Sequence, residues 1–529
     1  MAKWEEIAAS KRQQLADSIP QEWRIPASQM PPESQLNVLD WPSTSGFFTP
    51  QELEITELTA SQLLGQLRSG HKTSEEVTRA FCKRAAVAQQ LTNCLSETLF
   101  DHALETAKSL DQQFKARGGP IGPLHGLPIS LKDNFQITGL DSTDGFVSWV
   151  NSPAATNSAL VDLLASLGAV AYVKTNVPTA MMIAETVNNV FGRTANPANR
   201  NLTSGGSSGG ESALIAFKGS CLGVGTDIGG SLRIPAACTG LYTLKPSSGR
   251  FPTSGAKSGL AGQEAVKSIN GPLARSLGDV EVWAKAVVGA EPWRVDPFCL
   301  PIPWREAEVP KRLRIGVMWD DGLVRPTPPV QRALKETVEK LKKAGHELVD
   351  WAPELHTEIY QCLGKFFVCD GGKTLRSILD PVQEPFRPEL AMYEQATELG
   401  VSELWKLQSK RLQLITEYLK RWQRSGIDAI LCPATPYATV EHTKFRHVGY
   451  TGVFNVLDYS ATSFPSGLYA DQKLDQLTDQ PVLSELDTQA RDDYNASAVH
   501  GMSINLQLVA QRLEEEKVIA MTQEVLKAL

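Results

Sequence analysis

Residues 204–233, "SGGSSGGESALIAFKGSCLGVGTDIGGSLR", constrain the fold of this chain more than any other segment. Two glycine–serine knots, at 205–210 and 227–231, bracket "SALIAFKGS", which reads as a helix, and "CLGVGTD", which reads as a strand. Glycine reaches backbone conformations closed to other residues and lets chain segments approach closely. Around the knots, "GLPISLKD", "AVAYVKTN", "RIGVMWD", "HELVDW" and "AILCPAT" read as short buried strands. Helical patterns lie between them, including two helices after Leu58 and a long one over about 385–425. Thr73-Ser74, with Glu75-Glu76 behind them, opens the second helix after Leu58. This alternation predicts an α/β fold built on a large, mixed, mostly parallel sheet flanked by helices.

At 529 residues, with 42% hydrophobic and 21% charged residues, the chain can bury a large core. Trp4, Ile7, Leu15 and Ile19 sit at roughly helical spacing before Pro20, and a Pro- and Ser-rich loop follows. Residues 1–55 are therefore expected to be a helical, wrapping segment, and 56–529 a single large domain. The Pro- and Trp-rich stretch at 291–310 is expected to be an internal loop or linker, centred on 295–310.

The net charge of −7 offers no basic footprint for nucleic acid. Eight irregularly spaced cysteines without a CxxC read as free thiols in a reducing compartment. The polar start has no signal-peptide core, no run spans a membrane, and "KAL" is not a peroxisomal address of the SKL type. The expected location is the cytoplasm.

Three chemistries compete for the knots. Gly205-Gly206-Ser207-Ser208-Gly209 fits the GxSxG nucleophile elbow, but that motif follows a strand, and "NPANRNLTS" is polar and turn-rich. A phosphate loop lacks its Gly-Lys-Ser/Thr ending. The third reading is acyl transfer. In "TDIGGSLRIPAAC" the backbone N–H groups of Ile228, Gly229, Gly230 and Ser231 precede a helix and lack helical partners. Such donors beside a serine hydroxyl form an oxyanion hole, with Ser231 placed to attack a carbonyl. A base is then required. His125 lies in a Gly/Pro loop, whereas Lys132 ends an apolar strand, where burial would favour the neutral amine.

"GGSSGGESALIA", "GTDIGGSLRIPAACTG", "LKPSSGR" and "GLPISLKDNF", in this order of chemistry and together with "KTNVPTAMM", "VFGRTANP" and "GPLARS", resemble the amidase signature family from about residue 55 onward. The two ends of the chain look most like fungal acetamidase-type members. The resemblance implies a hydrolase of carboxylic amides that uses no cofactor or metal, acts on a small-molecule amide and can form a homodimer. It implies a Ser–Ser–Lys triad: Lys132 as base, Ser207 as bridging serine after a cis peptide from Gly206, and Ser231 as the nucleophile that carries the acyl group. The oxyanion hole falls on the backbone of Ile228 to Ser231. Ser208, Asp227 and Arg233 are expected to support the loops, and Met181 to line the acyl pocket. Phe366, Phe367, Tyr450 and Phe454 are further pocket expectations. Ser204, Ser212 and Tyr242-Thr243 depart from the family's usual residues without touching the triad. An esterase, a transamidating subunit acting on tRNA, or a catalytically dead binding protein are the alternatives.

Overall fold

The apolar runs that read as strands pair into one eleven-stranded sheet in the computed structural model, which describes residues 3–529. In chain order the strands are β1 (Leu95–Thr98), β2 (Pro128–Lys132), β3 (Val170–Thr175), β4 (Leu222–Asp227), β5 (Tyr242–Lys245) and β6 (Ile269–Ala274). They continue with β7 (Arg314–Val317), β8 (Glu347–Asp350), β9 (Ala429–Pro433), β10 (Ala461–Tyr469) and β11 (Ser503–Val509). Across the sheet the order is β1-β3-β2-β4-β6-β5-β10-β11-β9-β7-β8. The sheet is mixed. Parallel pairing, expected to predominate, is confined to two flanks, β3–β2–β4 and β9–β7–β8. The remaining pairings are antiparallel. Parallel neighbours need a long crossover; the helix Pro328–Lys343 supplies one between β7 and β8, whereas no helix lies between β5 and β6.

The helices used below are α1 (Lys3–Asp17), α2 (Ser74–Thr92), α3 (Gly209–Ala216), α4 (Arg233–Thr239), α5 (His356–Phe367), α6 (Val401–Ser425) and α7 (Glu515–Leu526). Thr73 caps α2 as its sequence suggests: its hydroxyl accepts from Glu76 N, and Glu76 accepts from Thr73 N. The long helix expected from about 385 begins only at Val401. Pro388 opens a separate short turn, Pro388–Leu390, because proline inside a helix would remove a hydrogen bond and clash with the preceding turn.

Residues from α1 to Ile55 wrap the body rather than stand apart. Leu15, Ile19, Trp23, Trp41, Phe48 and Ile55 join the same apolar core as β2 and β3. The 291–310 stretch also wraps: Leu300 N donates to Gly249 O, and Arg250 reaches Ile302 O. All eight cysteines are unpaired, and no helix among the described residues is long and apolar enough to cross a membrane. For function the decisive feature is the β2–β4 pairing. It is parallel, with Leu131 opposite Val224, so the C-terminal ends of both strands bring Lys132 and Thr226-Asp227 side by side.

Candidate active site

Lys132 ends a strand in which every residue is buried, and its own side chain is sealed from solvent. Its Nζ lies 2.7 Å from Ser207 Oγ and 2.6 Å from Thr226 Oγ1. Burial pushes its pKa down to about 7, against the opposing pull of Asp144, Asp227, Glu211 and Asp133. A substantial fraction is therefore free amine near neutral pH, the form able to accept a proton.

Ser207 is held by the first knot. The Gly206–Ser207 peptide is cis, as the resemblance implies. Glycine at 206 is required by close approach, since a Cβ there would stand 2.5 Å from Ile183 O and 2.7 Å from Glu185 N. Ser208 ties the knot to β4: its hydroxyl donates to Thr226 O and accepts from Thr226 N, both at 3.3 Å. The apolar helix α3 follows and carries Glu211 under the site.

The second knot leaves β4 at Asp227 and is built on that carboxylate. Asp227 Oδ1 accepts from Gly230 N (2.8 Å) and Asn455 Nδ2 (2.8 Å), and Oδ2 accepts from Leu232 N (3.2 Å). The Arg233 guanidinium grips both oxygens at 3.1 Å and also donates to Gln507 and Asn455. Both side chains are fully buried. Burial alone would raise the Asp227 pKa, but Arg233 outweighs it and holds the carboxyl at about 2. Ser208 and Asp227 thus each hydrogen-bond within the knots, and Arg233 braces the second one.

One member of the expected oxyanion hole needs correction. Gly230 N is taken by Asp227, so it is not available to a substrate oxygen. The N–H groups of Ile228, Gly229 and Ser231 have no partner among the described residues, and all three residues are half-buried, as a site open to a ligand requires. Ser231 sits at the end of this turn just before α4. No hydrogen bond joins its hydroxyl to Ser207 in this structure; catalytic hydrogen bonds commonly tighten only around the reacting group.

Two hollows flank the knots. One, of about 200 Å³, is lined by Thr226, Ile228 and Met181 together with Asn134 and Lys257. The other, of about 530 Å³, is lined by Met182, Ile183, Leu363, Gly364, Phe367 and Met392, with Glu389 and Arg446 among its polar lining. The chain turns at Thr179–Met181, with Ala180 and Met181 both at positive φ. Met181 therefore lines the first hollow and its neighbour Met182 the second. The ring of Phe367 reaches toward the second knot, 3.5 Å from where a Cβ on Gly229 would stand. Of the aromatic pocket expectations only Phe367 faces a hollow; Phe366, Tyr450 and Phe454 are buried in an apolar cluster.

Sequence reasoning missed three residues. Thr226 is the second partner of Lys132. Glu211 accepts from Ser130 (2.5 Å) and Thr175 (2.8 Å), and burial pushes its pKa up to about 8. The third is Asp144, a buried carboxylate. A sequence signal existed for Thr226 alone, which precedes Asp227 in the second knot. His125, the rejected base, stacks near Phe114 and faces neither serine. Among the described residues no three His, Cys, Asp or Glu side chains are grouped to hold a metal ion.

Residues 76–519 match the family model described as Amidase. The chain is 40% identical over 543 residues to an acetamidase of Emericella nidulans, covering 99% of this chain and 98% of that protein. It is also 40% identical over 545 residues to an acetamidase of Aspergillus oryzae, covering 100% and 99%. Among solved structures, a fatty acid amide hydrolase superposes with a TM-score of 0.95 at 35% identity, over 99% of this chain and 94% of that one.

Proposed function

The chain belongs to the amidase family and is an amide-bond hydrolase, and we propose that it cleaves small-molecule carboxylic amides through Lys132, Ser207 and Ser231. The observation that carries this reading is a sealed lysine, 2.7 Å from a serine held by a cis peptide, beside a turn that leaves three backbone donors and a serine unpaired.

Free-amine Lys132 takes the proton of Ser207, which takes that of Ser231 as the Ser231 oxygen bonds to the amide carbon. The carbonyl oxygen gains negative charge and is held by the N–H groups of Ile228, Gly229 and Ser231. Such donors act strongly where water is excluded. The C–N bond then breaks, and the departing nitrogen receives a proton from Ser207, which is replenished from Lys132. Water adds to the Ser231 ester by the same proton path in reverse, releasing a carboxylic acid and regenerating the serine. Thr226 keeps the amine aimed along this path, since its hydroxyl fixes the second hydrogen-bonding direction of Nζ.

The acyl group is assigned to the 530 Å³ cleft, because Phe367 joins that cleft to the Gly229 side of the oxyanion turn. The smaller hollow, adjoining Thr226 and Asn134, then faces the departing amine, which puts Met181 on the amine side rather than in the acyl pocket expected of it. Residues 56–529 are read as one catalytic domain wrapped by 1–55. The unpaired thiols fit a reducing compartment, and the cytoplasm is the proposed location. A homodimer rests on the resemblance alone, and the acidic net charge argues against a nucleic-acid partner.

Ammonia release from acetamide, hexanamide and phenylacetamide, measured for the wild type, Ser231→Ala and Lys132→Ala, tests the triad. Loss of turnover in Ser231→Ala and a fall of orders of magnitude in Lys132→Ala are expected. Wild-type rates in either variant would overturn it.

A further inference from the structure

Asp144 has no place in the mechanism above, yet its position is unusual. It is fully buried, sits at φ +47°, and neither carboxylate oxygen has a hydrogen-bond partner among the described residues. Its backbone is pinned on both sides. Asp144 N donates to Asp133, the residue next to Lys132, at 2.8 Å, and Asp144 O accepts from Ala180 N at 2.9 Å. The residue therefore stands between the base and the Ala180–Met181 turn.

The charges of three lysines act on it, and each of these donates its hydrogen bonds elsewhere. Lys132 donates to Ser207 and Thr226. Lys174 donates to Asp141 O and Ser142 Oγ, and Lys257 donates to Ser142 O while lying 3.9 Å over the Trp149 ring. A carboxylate left unpaired in a sealed interior is costly, and its field there is poorly screened. The other acidic groups near the base are accounted for. Asp227 is neutralised by Arg233, and Asp133 accepts from Ser96, Thr143 and Asp144 N. Glu211 is hydrogen-bonded by Ser130 and Thr175 and, with its pKa at about 8, is largely protonated at neutral pH.

We propose that Asp144 is a positioning residue of the amidase reaction, whose carboxylate sets the basicity of Lys132 through space rather than through a hydrogen bond.

Supporting electrostatics agree in sign. Among the acidic groups that raise the Lys132 pKa, Asp144 acts most strongly. Burial first, and then Asp133, push the Asp144 carboxyl up to about 7 against Lys257, Lys174 and Lys132, so the two groups titrate over the same range and as a coupled pair. With Asp144 ionised, the lysine holds its proton to higher pH and is a stronger base. Without that charge, burial alone governs the amine, which then loses its proton at lower pH and pulls more weakly on Ser207.

The inference rests on Lys132 as the base, and its test keeps the two apart. The second-order rate of Ser231 inactivation by a fluorophosphonate is measured against pH for the wild type, Asp144→Asn and Lys132→Ala, beside kcat/KM for hexanamide. The acid limb of Asp144→Asn is expected about one pH unit below the wild-type limb, the scale of a nearby opposite charge, with a plateau several-fold lower. A residue that served packing alone would leave the limb in place. Superposed limbs, with Lys132→Ala inactive, overturn this inference only. Wild-type rates in Lys132→Ala remove the base itself. Should Asp144→Asn not fold, Asp144→Ala, which opens room for water, carries the same expectation and the same refutation.

Discussion

Gly364 offers a direct way to ask what fills the larger cleft. It lies within α5, lines the 530 Å³ hollow, and a Cβ built on it meets nothing within 4 Å. In Gly364→Trp the added Cβ meets open space, and the indole is expected to extend into the cleft that Gly364 lines. Burying a methylene contributes about 0.8 kcal/mol, close to fourfold in kcat/KM if realised in the transition state, since about 1.36 kcal/mol is tenfold. From acetamide to hexanamide four methylenes add about 3 kcal/mol, so the wild type should favour the longer amide by about 200-fold. The variant should keep its acetamide rate while the climb stops short of hexanamide. Replacing a mid-helix glycine adds about 0.5 kcal/mol of helix propensity, so the melting temperature should not fall. The assay is ammonia release across the two- to ten-carbon primary amides, with thermal unfolding as control. A flat chain-length profile in the wild type, or a climb unchanged in a folded variant, would refute the placement of the acyl group.

Two further perturbations test the knots. Gly206→Ala places a methyl group 2.5 Å from the Ile183 carbonyl; overpacking of this kind costs about 1–3 kcal/mol, and displacement of Ser207 should cost at least about 100-fold in kcat/KM, read by denaturant unfolding and steady-state kinetics. Arg233→Met leaves Asp227 as an uncompensated buried charge, for which about 3–5 kcal/mol of stability should be lost; urea unfolding midpoints near those of the wild type would show that the pair does not hold the second knot.

The parts of the site that the sequence displays are those made by neighbours in the chain. Lys132 at the end of an apolar strand and Asp227 through Arg233 around the second knot lie in local patterns, whereas the pairing of Lys132 with Ser207 comes from the resemblance alone. Thr226 is marked in the sequence only by its place just before the second knot, and Glu211 not at all, because their importance comes from pairing across the sheet: β2 and β4 must lie side by side before Thr226 can touch Lys132. Asp144 is invisible for a different reason, since a sequence records a carboxylate but not the lack of a partner for it. The same limit explains Gly230, whose amide looks free until Asp227 folds back on it. Phe366 and Phe367 are adjacent on α5, and helical geometry turns one into the core and the other toward the cleft. Strand direction across the middle of the sheet depends on non-adjacent segments such as β5 and β10, which no local run specifies.

The turn at Thr179–Met181 has a consequence for how selectivity can change. Successive methionines, Met181 and Met182, line different hollows. A backbone shift that enlarges the chamber behind Met182 moves the same peptide units into the chamber before Met181, so space gained for one half of a substrate is withdrawn from the other. On the acyl and amine placement proposed above, the two preferences are thereby linked through the Thr179–Met181 turn. Variants that accept bulkier acids through this turn should become more demanding about the amine, whereas changes on α5, on the far side of the cleft, can alter acid preference alone.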